Sequence, residues 1–410
     1  MTVPAKLPPA DLFTALAETA PTARSYGRRA SDARLASQAV AVLRTRADFE
    51  ALATEWQAFE TSCSGALFFQ SAGWVRTVFD FEAERGNADF DPVIVTLRDG
   101  DGLKAILPLE RIKTRLRTML VPLGDRFSQI SDALVADGVV ARDALAPLLK
   151  AAIAAAPADL ISLQKVRAGS RLEAGLGRPI RTGELAGAPF ENLTDWADFE
   201  AYFQSIRTKT RKNLRSSRNR LSRDGTLEHH VATGGEALRE TMLRTIFGRA
   251  GRLEEQGLTS RAFSDPAFAK FCSSLVDHPE VGLMAMSLTL NGEPLSEQWG
   301  FVHNGRYYIF MTTRDFTSSE ESPGKLHMKD AMEVAFEKGL KTVDFMTPIM
   351  PYKQTWCRQV TEVHDYALPV TLKGMLLVQV WDKALRPFAK HVFSQLPQGF
   401  RQFVMKRLGR

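Results

Sequence analysis

Ser322-Pro323-Gly324-Lys325-Leu326-His327 begins the stretch that decides the fold, and Tyr352-Lys353-Gln354-Thr355-Trp356 ends it. Between them the pattern reads as a helix, a strand and a loop. Ser322 is a good N-cap, and Pro323 suits the first helical position, where a missing N–H costs nothing. Gly324 leaves the free N–H groups of the helix start unobstructed. Such an end carries partial positive charge and draws anions, and Lys325 adds a full charge. Met328, Ala331, Met332 and Ala335 recur at i, i+3, i+4 and i+7, which predicts one apolar face packed on a sheet. Gly339 fits the C′ stop, and residues 342–346 read as a short buried strand holding one carboxylate, Asp344. A capped helix lying on a sheet, with no further role, fits the same residues. What precedes them decides.

Upstream, residues 281–290, 293–303 and 306–313 read as three strands joined by Asn291-Gly292 and Asn304-Gly305. Asn-Gly between apolar runs is a strong hairpin signal. The order is strand, strand, strand, anion-ready helix, strand. In this order the chain resembles the GNAT acyltransferase superfamily, and more closely its CelD-like branch, related to FemA/FemB/FemX-type transferases. The residues that carry the resemblance are Gln298-Trp299-Gly300-Phe301, Gly305-Arg306-Tyr307-Tyr308, Asp315, Ser322-Pro323-Gly324, Gly339, Asp344-Phe345, and Tyr352-Lys353 with Trp356. It covers residues 40–370, most specifically in the second half. It implies an α/β (α+β) fold of two GNAT-like units, each a mixed sheet flanked by helices, with the acyl-CoA pyrophosphate on the helix that follows the meander. The usual GNAT phosphate loop, a longer Arg/Gln-x-x-Gly-x-Gly/Ala turn, is absent, so the use of acyl-CoA rests on the resemblance.

The chain has 410 residues, 44% apolar and 24% charged, enough for two or three domains with sizeable cores. Cys63, Cys272 and Cys357 are scattered, which argues for a reducing compartment and against a zinc or disulfide framework. Residues 1–37 read as a disordered leader, 38–188 as a first GNAT-like domain, 189–370 as a second with the donor site, and 371–410 as a basic tail. The most apolar long run, 143–163, contains Lys150 and Asp159 and is no membrane span. A cytoplasmic location is expected. The net charge of +6 is unevenly spread. Residues 205–223 carry +8 and 371–410 carry +7, leaving −9 for the rest.

In the first half, residues 39–43 read as a strand, 47–60 as a helix, and Ser71 as the N-cap of a helix around Trp74. Residues 92–97 and 103–109 form a hairpin, followed by a helix at 142–155 and a strand at 160–166. This half lacks a Ser-Pro-Gly start and is read as shaping the acceptor cleft. The boundary falls in the Gly-, Pro- and Arg-bearing run 175–189. A helix at 195–204 leads into the basic segment, where Ile206, Leu214 and Leu221 share one side. That segment is read as a solvated basic helix or as contact for a small anionic ligand through Arg211 and Arg215. No aromatic residue interleaves the cations, as single-strand stacking on nucleic acid would need.

Acyl transfer from a thioester to an amine needs a neutral amine, a donor for the oxyanion and a proton for the thiolate. Glu297 is one candidate base, since apolar neighbours at Leu295, Trp299 and Phe301 would raise a carboxyl pKa; the alternative is an edge-facing carboxylate. Asp344 is a second carboxylate at the mouth of the cleft, or a cap of the following loop. Lys353 is the expected charge at the acceptor, since Fem-type relatives carry a functional Lys at a similar position. Tyr352, Tyr307 and Tyr308 are equal candidates to protonate the thiolate. Ser322, Pro323, Gly324, Lys325 and His327 would hold the donor, and the resemblance adds Trp299, Tyr308, Asp315 and Trp356 to the acceptor site. The expectation is an N-acyltransferase using acyl-CoA, with acetyl-CoA foremost and no metal. Its acceptor would be an amine on a surface-polysaccharide precursor or a sphingoid base. The rival classes are an aminoacyl-tRNA-dependent transferase and a non-catalytic module that binds cyclic di-GMP. In the tail, Leu377, Trp381, Leu385, Phe388 and Val392 share a helical face among cations, which suits peripheral association with an anionic membrane or docking on the body.

Overall fold

The computed structural model describes residues 39–255, 263, 265, 267–314, 323–380 and 395; the leader, Asp315, Ser322 and nearly all of the tail beyond Val380 lie outside the described residues. Two runs of elements follow one another with the same plan. The first comprises β1 (Ala39–Leu43), α1 (Arg46–Ser62), α2 (Ala72–Glu84), β2 (Pro92–Asp99), β3 (Gly102–Lys113), β4 (Thr118–Pro122), the short β5 (Leu134–Val135), α3 (Ala141–Ala155) and β6 (Leu160–Arg167). After α4 (Arg171–Gly175) and β7 (Ile180–Asn192) come α5 (Phe199–Ser205) and α6 (Thr208–Asp224). The plan then repeats in β8 (Leu227–Ala232), α7 (Gly235–Glu255), α8 (Ala267–Ser274), β9 (Leu283–Leu290), β10 (Glu293–His303), β11 (Arg306–Arg314), α9 (Pro323–Glu337) and β12 (Thr342–Asp344). Finally come β13 (Gln359–Pro369) and α10 (Leu372–Leu376).

Local chemistry sets the ends of these elements. Thr45 and Asp48 form a reciprocal capping box at the start of α1, and Ser71 Oγ accepts the Trp74 N–H at the start of α2. Both Asn-Gly pairs of the meander have positive φ (Asn291 52°, Gly292 85°; Asn304 49°, Gly305 74°), the twist that two-residue hairpins require.

All the strands but β5, which pairs on β3, line up as β1-β2-β3-β4-β6-β13-β7-β12-β11-β10-β9-β8. The order is a palindrome of the two runs, with one exchange. β4 pairs β6 in parallel, as β11 pairs β12. Yet β7, which follows the first run, pairs with β12, and β13, which follows the second, pairs with β6. Each half therefore receives its sixth strand from the other, and β7 and β13 pair antiparallel between them. Much of the run read as a boundary is thus a central strand, β7.

Apolar residues of α1, α2, α7 and α8 join those of β10 and β11 in one core on one side of the sheet; Phe68 stacks on Phe301 with centroids 3.9 Å apart, linking the halves. α5, α6 and α9 cover the second half's other face around Tyr307, Val343 and Phe345.

Candidate active site

β11 and β12 stay together for only three pairs, Arg306 with Thr342, Tyr307 with Val343 and Tyr308 with Asp344. Beyond Tyr308, β11 runs on to Arg314 while β12 ends and the chain turns away through Phe345 and Met346. On its other edge β11 carries a bulge. The register with β10 slips between Trp299 and Gly300, leaving Phe310 as the extra residue. Gly300 is required there, because a Cβ would strike the Tyr308 carbonyl oxygen. α9 crosses from β11 to β12, so its N-terminal Pro323-Gly324-Lys325 turn lies at the end where the strands part. Gly324 is half-buried and Lys325 exposed.

Asp344 lies beneath this parting, fully buried. Arg167, from β6 of the first half, grips it with two bonds (Nη1–Oδ2 2.6 Å, Nη2–Oδ1 2.9 Å), and Arg306 Nη1 adds a third at 2.9 Å. Oδ1 also accepts the Met346 N–H at 3.0 Å. Burial alone would raise the carboxyl pKa, but the two guanidiniums and the Met346 N–H outweigh it and hold it below the ordinary carboxylate value. Asp344 is therefore a fixed anion and not a base at the mouth of the cleft. Tyr308 is buried beside it under the Arg306 guanidinium, and burial pushes its phenol up to about 12.

Lys353 is 6% exposed, and its Nζ donates to the carbonyls of Met346 (2.8 Å) and Pro348 (2.9 Å) across the cis Thr347–Pro348 peptide. An ammonium has three N–H donors, so one remains for a ligand. Burial, helped by the nearby Arg249, lowers its pKa to about 8. Tyr352 is more than a third exposed, and its phenol sits by the Thr312 side chain, Arg249 and Arg252. Burial of the hydroxyl end raises its pKa, against the lowering effect of the Thr312 hydrogen bond and the two guanidiniums. Arg252 Nη2 also donates to the Thr312 carbonyl at 3.2 Å. Lys353, Tyr352 and the two α7 guanidiniums therefore gather by Met346 and Thr312, beyond the point where β12 leaves β11.

Other expected residues lie elsewhere. Glu297 is 3% exposed but bonded to Arg244 (Nη2–Oε1 2.8 Å) and Ser287, not set among apolar groups. A bulge between Pro294 and Ser296 turns Leu295 to the opposite face of β10, so the strand face expected around Glu297 is interrupted. Its partners Arg244 and Ser287 line a cavity of about 480 Å³ between α7 and β9, away from the parting. Trp299 is wholly buried in the core with its indole N–H on Thr245 Oγ1 (2.8 Å), so it is a packing residue and touches no acceptor from the surface. His327 is buried against the His229 ring, 5.3 Å away, and its pKa falls well below the ordinary value through burial; it does not share the exposure of Lys325. Trp356 is 1% exposed and lines a second cavity, of about 350 Å³, with Arg207, Thr210 and Arg358. Arg211 Nε donates to the Ile206 carbonyl at 3.0 Å, tying down the start of α6, while Arg215 is exposed. Arg167, Arg249 and Arg252 carried no sequence signal. Among the described residues, no group of His, Cys, Asp and Glu is arranged to hold a metal.

Residues 208–354 match the family model for the Acetyltransferase (GNAT) domain. The crystal structure of FemX is similar over 84% of this chain and 100% of its own, with a TM-score of 0.60 at 13% identity. A tandem GNAT protein from the clavulanic acid biosynthesis pathway is similar over 81% of this chain and 99% of its own (TM-score 0.47, 11% identity). A conserved protein of unknown function from Bacteroides thetaiotaomicron is similar over 78% and 97% (TM-score 0.46, 12% identity). No curated protein sequence matches significantly. The parting strands, α9 and Lys353 all fall inside the matched segment, so residues 208–354 are a GNAT-type domain, and over 84% of the chain the fold is that of FemX.

Proposed function

We propose that the protein is an N-acyltransferase that passes an acyl group from acyl-CoA, acetyl-CoA foremost, to an amine. The observation that carries this reading is the parting of β11 from β12 at the end where α9 starts, with Lys353 held on the turn that leaves β12. Acyl-CoA supplies the activated thioester. Behind Pro323, which has no N–H to give, Gly324 and Lys325 offer backbone N–H groups to its phosphates and Lys325 adds charge. The third N–H of the Lys353 ammonium is the donor for charge developing on the carbonyl oxygen. Tyr352, the most exposed of the three candidate tyrosines, gives its proton to the thiolate as the C–S bond breaks and regains one from the amine nitrogen once the N–C bond has formed; Tyr307 and Tyr308 are fully buried. The acceptor is an amino sugar on a surface-polysaccharide precursor or a sphingoid-base amine. Exposed Ile349 and Met350, on the turn before Lys353, favour an acceptor with an apolar anchor. The test is to incubate the protein with acetyl-CoA and a panel of hexosamines and sphingoid bases, reading free thiol and product mass. Absence of thiol release above the blank with every amine would reject the reading.

A second reading, aminoacyl-tRNA as donor, draws on the outward row Lys209, Lys212, Arg215 and Arg223 of α6, all exposed. Salt-sensitive binding of charged tRNA together with thiol-free transfer would establish it. Tight cyclic di-GMP binding without turnover would point instead to a sensing module. Among the described residues no helix is long and apolar enough to cross a membrane. The basic, aromatic-bearing tail 371–410 supports peripheral association with anionic lipid, where each cation contributes roughly 1 kcal/mol. Flotation with anionic vesicles, comparing the full chain with one ending at Lys373, tests this; equal flotation of the two would reject it.

A further inference from the structure

Lys353 Nζ is held by main-chain carbonyls of the turn that begins at Met346. Met346 is a non-glycine residue at φ 56°, a conformation that needs an outside hold. The hold is its own N–H, bonded to Asp344 Oδ1 at 3.0 Å. Asp344, a lone carboxylate in a dry site, needs a hold in turn. Arg306 contributes one bond and is about a quarter exposed, whereas Arg167 contributes a planar two-bond fork and is nearly sealed from solvent. Arg167 lies 177 residues earlier, on β6 of the other half.

We infer that Arg167 is a positioning residue for transfer: its guanidinium reaches from the first half, fixes Asp344, and through the Met346 turn sets where the Lys353 ammonium stands. The inference rests on the reading above that Lys353 acts at the reacting atoms. It makes the first half part of the machinery, through one side chain, without giving that half a substrate contact. A lysine in this place would keep the charge but not the fork, since only a guanidinium meets both carboxylate oxygens in one plane. The groups facing Lys353 are Arg249 of α7, Asp344 of β12 and Cys357 of its own loop, with Arg167 and Arg306 behind Asp344. Burial is the largest influence on its proton affinity, so loosening the turn admits water and raises that affinity.

The experiment uses the full chain as wild type, Arg167→Lys, Arg167→Gln, Lys353→Ala and the double variant Arg167→Lys/Lys353→Ala, each checked for folding by thermal melting. Trace acetic anhydride labelling across pH, read by mass spectrometry, reports the titration of Lys353 without any turnover. The expected result for Arg167→Lys is a Lys353 titration displaced upward by at least about half a unit. With it, kcat falls at least about fivefold while KM stays within about twofold. The double variant should be no slower than Lys353→Ala, because Arg167 acts through Lys353. An unchanged Lys353 titration and kcat in Arg167→Lys overturn the inference, as does a double variant whose losses multiply. If Arg167→Gln does not fold, Arg167→Lys and the double variant still decide. Wild-type turnover in Lys353→Ala would instead reject the reading of Lys353, and the labelling would still show whether Arg167 sets the ammonium.

Discussion

Lys353 Nζ and the Met346 carbonyl oxygen are 2.8 Å apart, and the N–H of that same Met346 is bound to Asp344. One residue's two main-chain groups therefore join a buried anion to a buried amine. The amine's pKa of about 8 puts its loss of charge in an accessible range. As a cationic donor it serves below that value, so kcat should fall as pH rises through about 8. Lys353→Met should lose at least about tenfold in kcat and show no such limb. A pH series of initial rates with the true acceptor decides, and an unchanged limb in the variant would remove Lys353 from the mechanism.

Gly324→Val should weaken CoA binding while leaving the fold intact, because branched side-chain atoms would crowd the free N–H groups of α9. Calorimetric titration with CoA measures it. Wild-type affinity in the variant would sink the pyrophosphate assignment.

Asp344→Asn should destabilise by about 3–5 kcal/mol, since it leaves the buried Arg167 guanidinium without its counter-charge. The sign with pH follows from a folded-state pKa below the ordinary carboxylate value. The ion pair's contribution is complete above the unfolded pKa, about 3.9, and is lost as pH falls from there through the folded value. Denaturant melts of wild type and of the Asp344→Asn variant should therefore converge as pH is lowered from 7 to 3. A constant gap would show that the carboxylate's charge is not what matters.

Glu60 works in the opposite sense. Burial raises its carboxyl from 4.5 to about 7, although Oε2 accepts the Ala72 N–H at 2.7 Å. Between those values the native state binds more protons than the unfolded one, so this group lowers stability as pH rises from about 4.5 to about 7. Glu60→Gln keeps an acceptor for Ala72 and should be more stable than wild type above pH 7, by up to about 3 kcal/mol. Below pH 4 the two should match. Equal melting midpoints at pH 8 would refute the assignment.

The second half was legible because its signals are local. Asn291-Gly292 and Asn304-Gly305 fix two hairpins by φ alone, and residues 293–303 are the observed β10. The strands that escaped notice lack such signals. β13 pairs with β6 and β7, whose residues lie far back in the sequence, so no turn announces it. β8 is an edge strand with Glu228, His229 and His230 in six residues. β7 looked like a boundary because of Gly183, Gly187 and Pro189, yet Gly187 is needed where Ile349 and Val360 close over it. In the site, Lys353 stood out beside Tyr352 and Trp356, and Asp344 stood out in its apolar strand. Arg167 could not, since a partner 177 residues away leaves no spacing to read. Glu297 misled because its cation, Arg244, arrives from another helix.

The exchange of β7 and β13 has a consequence for biosynthesis. During translation the first half leaves the ribosome long before residues 359–369 exist, so β6 waits with one hydrogen-bonding edge open. An open strand edge is a template for wrong partners, and a nascent chain meets many. The first half reaches its final pairing only when the second is almost fully made, so the two mature together, and a prematurely ended chain would be left with a sticky edge in place of a finished domain.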